Sequence, residues 1–146
     1  MADEKPYSPG LEGIIAGVSS ISEVNPEKQK LAYRGFDIEE LANHSTFEEV
    51  AYLLLHGKLP KKGELKTFVS ELVSERELPP QVYEVLKLTP VTAGAMDALR
   101  TCVSFLGTTD PDASDNSLDV NLRKASRLVA KMGTIVAANY RIRAGL

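Results

Sequence analysis

Cysteine occurs once and histidine twice in this chain of 146 residues. The single Cys102 cannot close an internal disulfide, so no oxidising compartment is called for and a cytoplasmic location is expected. Positive charge is also short: Lys+Arg number 17 against Asp+Glu 20, a net charge of −3. No global positive field exists to draw the chain to nucleic acid or to an anionic membrane. Unbroken apolar runs are only a few residues long, far below the ~20 that a membrane-spanning helix needs. The opening Met1-Ala2-Asp3-Glu4-Lys5 is charged and carries no apolar stretch of the secretory kind. The expected partners therefore include neither nucleic acid nor membrane.

What is present is ordinary globular material: 43% hydrophobic and 25% charged residues. A chain of this size can bury roughly 68–70% of its unfolded surface around one core. Residues 1–9 are polar, carry Pro6 and Pro9, and are expected to be a flexible lead-in. Ile14 to Ile21 is β-branched and glycine-punctuated, which predicts a short strand. Asn25-Pro26-Glu27-Lys28 is turn chemistry, and Leu31-Ala32-Tyr33 reads as the returning strand, giving a hairpin over about 13–34.

From Asp37 onward the pattern is helical, over about 37–144. Ile38, Leu41 and Ala42 make a short amphipathic piece. Thr46 with Glu49 matches a capping box, and Phe47, Val50, Ala51 and Leu54 form the stripe of the helix it opens. His56 and Gly57 end that helix in the expected order. Leu65, Phe68, Val69, Leu72 and Val73 predict another helix after Pro60. Pro79-Pro80 breaks it and seeds a third, with Val82, Val85 and Leu86 inward. Ala95 to Leu106 carries two apolar stripes, Met96-Leu99-Val103-Leu106 and Ala98-Cys102-Phe105. The last helix, from about Leu118, is small and apolar nearly all round between Met132 and Ala138. Helices apolar on two sides are normally covered on two sides. The expected fold class is mainly α, with a short N-terminal β-hairpin.

Few residues invite a catalytic role. His44 and His56 lack the neighbours of a metal site and suit helix ends through the dipole. Cys102 sits on an apolar face with no cation to activate it. Asp37, Glu39 and Glu40 gather where a helix begins, a position that favours carboxylates without any chemistry. Asp97 and Arg100 are spaced to pair on one helix turn. Lys61-Lys62 and Arg141-Ile142-Arg143 have no interleaved aromatics to suggest a nucleic-acid surface. Gly10, Gly13 and Gly17 do not open a helix, so they form no phosphate loop. No catalytic, substrate-binding, cofactor-binding or metal residue is assigned.

Five segments nevertheless occur in a telling order: Gly10–Ala16 (GLEGIIA), Leu31–Ala42 (LAYRGFDIEELA), Ser45–Pro60 (STFEEVAYLLLHGKLP), Met96–Thr101 (MDALRT) and Ala130–Ala138 (AKMGTIVAA). Together they resemble the citrate synthases, over nearly the whole chain after the lead-in. The resemblance implies a fold with a large helical domain and a smaller one, of which residues 10–146 would be the amino-terminal portion of the large domain. It implies a homodimer through the helices at about 95–106 and 118–143. It also implies condensation of acetyl-CoA with oxaloacetate: a carboxylate takes the methyl proton, one histidine stabilises the enol, and another polarises the ketone. Hydrolysis of the citryl thioester follows, with no cofactor beyond the substrates. The family's catalytic histidines, aspartate and substrate-holding arginines have no counterpart here. The chain alone is therefore expected to be an inactive fragment, with 2-methylcitrate synthase a close variant. Three departures stand out: Gly94-Ala95 where the family often has His-Pro, Gly133 where it often has Pro, and Asn25-Pro26 where it often has Asp-Gly. The alternative reading is a standalone helical dimerisation or interaction module without catalytic activity.

Overall fold

Two consecutive residues with positive φ, Arg34 at 50° and Gly35 at 86°, reverse the chain between Tyr33 and Phe36. Positive φ at both central positions is the mark of a type I′ turn, whose twist matches that of the strands it joins. The computed structural model describes residues 9–15, 17–27 and 30–146, so the expected lead-in lies, Pro9 apart, outside the described residues. The chain divides into two compact units, residues 1–46 and 47–146.

The first unit holds an antiparallel sheet of β1 (Ser22–Asn25), β2 (Lys30–Tyr33) and β3 (Phe36–Asp37), in that order. β1 pairs with β2 from Ser22↔Tyr33 to Asn25↔Lys30, and β2 pairs with β3 at Tyr33↔Phe36. The strand expected over Ile14–Ile21 is not there: residues 14–15 and 17–21 carry no strand. The register explains the shift. Pairing ends where the Arg34 N–H donates to the Ile21 carbonyl at 2.8 Å. Beyond that point β2's chain turns at Arg34-Gly35 to make β3, so residues before Ile21 have no strand opposite them. The helix α1 (Ile38–His44) follows β3 directly and packs on β2 and β3. Asp37 is its cap, its Oδ1 accepting from the Glu39 N–H at 2.9 Å.

The second unit is helical: α2 (Phe47–His56), α3 (Lys62–Ser74), α4 (Pro80–Leu88), α5 (Ala95–Thr109) and α6 (Leu118–Ala144). α2 ends as expected, with Gly57 at φ 78° donating to the Leu53 carbonyl at 2.8 Å. α3 starts where the Glu64 carboxylate accepts from the Lys61 N–H at 2.7 Å and from Lys58 Nζ at 2.6 Å. Pro80 opens α4, where its missing N–H would have had no helical partner. Among the described residues no helix is long and apolar enough to cross a membrane.

Two apolar clusters hold these helices, and α6 runs through both. Tyr52, Phe68 and Leu72 of α2 and α3 gather around Ala130. Leu78, Val82 and Leu86 meet Ala98, Cys102 and Leu106 of α5 around Ile135 and Ala138. The buried row of α5 is neither of the two expected stripes: it takes Ala98 and Cys102 from one and Leu106 from the other, with Leu99, Val103 and Phe105 half-buried beside it. Met96 is 73% exposed, because it sits in the first turn with no helix of the described chain over it. Val73 of α3 likewise faces outward, 100° round the helix from the buried Leu72.

Gly133 sits mid-helix in α6, and a Cβ there would meet no atom within 4 Å. Alanine restricts the unfolded chain and propagates helix better than glycine. Gly133→Ala is therefore expected to stabilise the dilute chain by about 0.5–1 kcal/mol, read from the urea midpoint. An unchanged or lowered midpoint would mean that the helix surface at this position is not open.

Candidate functional site

The residues weighed for chemistry in the sequence lie apart from one another, most of them with a partner of their own. His44, in the last turn of α1, is exposed, with Nε2 3.9 Å from Glu40 Oε2. His56, in the last turn of α2, stacks on Tyr52 with ring centroids 4.1 Å apart and stands edge-on to Phe68 at 6.1 Å. Cys102 is fully buried, and burial pushes its thiol above its ordinary pKa, away from the reactive thiolate. Asp37 is spent on its cap, and Asp97 pairs with Arg100 at 2.9 Å. Among the described residues no group of three His, Cys, Asp or Glu could hold a metal ion.

Half-buried cations of α6 tie neighbouring segments of the helical unit together. Arg127 of α6 donates to Asp110 Oδ1 at 3.1 Å and Asp112 Oδ2 at 2.8 Å, tying the α5–α6 loop to the helix. The Asp112 hydrogen bond, helped by the charge of both carboxylates, raises the guanidinium's affinity for its proton further. Lys131, one turn on, is 13% exposed and reaches both the carbonyl and the carboxylate of Glu75 at the end of α3. Arg143 donates to the Ala93 carbonyl at 2.9 Å and to Oδ1 of the buried Asn139 at 3.1 Å, holding the loop ahead of α5. Sequence reading missed these contacts, since all but the Arg143–Asn139 pair join residues far apart along the chain and periodicity says nothing about them. A cavity of ≈ 310 Å³ opens between α5, α6 and the loop, walled by Pro79, Val103, Leu106 and Leu128.

Near the start of α3, the Lys58 ammonium, with the Lys61 N–H, holds the Glu64 carboxyl below its usual value of 4.5. A depressed folded pKa gives stability that is complete above the unfolded value and lost as pH falls through the folded one. Glu64→Gln is expected to flatten the dependence of the urea midpoint on pH below 4.5 while leaving its neutral-pH slope unchanged. Identical acid limbs for the two proteins would show that the bridge contributes nothing to folding. The group is solvent-exposed, so the change is small.

One uncovered apolar row lies on α6. Met132, Val136 and Tyr140, at i, i+4 and i+8, are 36%, 55% and 68% exposed, with Gly133 and Ala137 exposed beside them. A groove lined by Phe47, Leu72, Val129, Met132 and Gly133 adjoins the row. An exposed apolar row of this kind on a helix is a candidate contact surface.

Known proteins supply the context. A family model described as "Citrate synthase, C-terminal domain" matches residues 10–146. Citrate/2-methylcitrate synthase of Bacillus subtilis is 36% identical over 97% of this chain and 38% of its own length. Citrate synthase of Acidithiobacillus ferridurans is 43% identical over 97% of this chain and 38% of its own. The crystal structure of citrate synthase from Pyrobaculum aerophilum superposes with a TM-score of 0.87 at 40% identity, over 94% of this chain and 37% of that one. A ternary complex of carboxymethyl coenzyme A and oxalateacetate with citrate synthase from Thermoplasma acidophilum gives 0.88 at 22% identity, a likeness of fold. The chain spans less than two fifths of the length of the relatives it matches. The motifs from Gly10 to Ala138, the helical architecture and a match running to the last residue agree: this chain belongs to the citrate synthase family.

Proposed function

We propose that these 146 residues are the amino-terminal portion of the large helical domain of a citrate synthase, and that they supply scaffold and subunit contact while the chemistry comes from residues outside them. The uncovered row Met132-Val136-Tyr140 carries this reading. In the complete enzyme it is covered by a second subunit laid across α5 and α6, in an isologous homodimer. That enzyme condenses acetyl-CoA with oxaloacetate and releases citrate and CoA. The coenzyme A analogue and oxalateacetate bound in the Thermoplasma acidophilum complex support these substrates. Relatives named for both citrate and 2-methylcitrate keep the larger acyl donor as the variant reading.

The reaction needs a carboxylate base and two histidines held within hydrogen-bonding reach of the reacting atoms. His44 and His56 do not serve, because one is open to water at a helix end and the other is committed to an aromatic stack. No cofactor beyond the substrates is required, and the single thiol suits a cytoplasmic enzyme.

The purified chain, given acetyl-CoA and oxaloacetate, is expected to release no CoA above the uncatalysed background. Steady turnover by these residues alone would overturn the assignment of the chemistry to other residues. A monomer at all accessible concentrations, by light scattering, would remove the subunit-contact role.

A further inference from the structure

We draw no further inference here: the strongest candidate, the ≈ 310 Å³ cavity between α5, α6 and the loop that joins them, carries nothing because its cations Arg127, Lys131 and Lys124 already hold Asp110, Asp112, Glu75 and the Asp115 carbonyl, and the unpartnered Arg127 Nε belongs to a side chain that is itself 22% exposed.

Discussion

Val136→Lys is expected to leave the helical unit folded and to abolish the self-association proposed for it. Val136 is 55% exposed in the single chain, so the substitution removes little internal packing. Lysine is also at least as good a helix former as valine, which protects α6 itself. In a two-fold interface the same position appears twice, so each dimer would gain two like charges in a desolvated apolar seam. Burying an unpaired charge of this kind costs several kcal/mol, which corresponds to a dissociation constant raised by about 100-fold or more. Light scattering across a concentration series reads the shift, and circular dichroism on the same samples confirms the intact helix. An unchanged dissociation constant would place the subunit contact elsewhere on the molecule.

The helices were legible because burial repeats with the helical period. Phe68 and Leu72, Val82 and Leu86, and Ala98, Cys102 and Leu106 each fall on one face and each is buried. Local chemistry set several ends as well: Asp37 caps α1, Gly57 closes α2 and Pro80 opens α4. What failed was pairing at a distance. Ile14–Ile21 has good strand composition, yet a strand exists only where another lies opposite, and the I′ turn at Arg34-Gly35 ends that possibility. An Arg-Gly pair between Tyr33 and Phe36 was the available signal for β3, since glycine readily takes the positive φ a tight hairpin needs.

The outward character of the two terminal helices was readable in part. Residues apolar on two sides suggested two covers, and α6 does leave Met132, Val136 and Tyr140 open. Which side would be open was not readable: on α5, Met96 stands in water while Leu99 and Val103, in the same stripe, are half-buried. Periodicity places residues on a common face, but only the neighbouring helices decide where that face is covered. The ion pairs of Arg127 and Lys131 were illegible for a related reason. Their partners lie 15 to 56 residues away, and many charged residues compete for each.

Ile135 and Val136 are neighbours of similar size whose environments have nothing in common, and that contrast is the sharpest test of the packing. Ile135 is 1% exposed and belongs to the cluster of Val82, Leu86, Ala98 and Cys102. Truncating it removes three methyl or methylene groups from a site walled by three helices, leaving a cavity that can close only in part. Ile135→Ala is expected to cost about 2–5 kcal/mol, a large share of the roughly 5–15 kcal/mol of a typical domain. At about 4–8 °C per kcal/mol for a unit of this size, the thermal midpoint would fall by at least about 8 °C. Val136→Ala, measured on dilute chain, is expected to move it little, since exposed substitutions usually stay within about 0.5 kcal/mol. Equal shifts for the two variants would mean that α6 does not present these faces as described, and the assignment of Val136 to an open contact surface would fall with it.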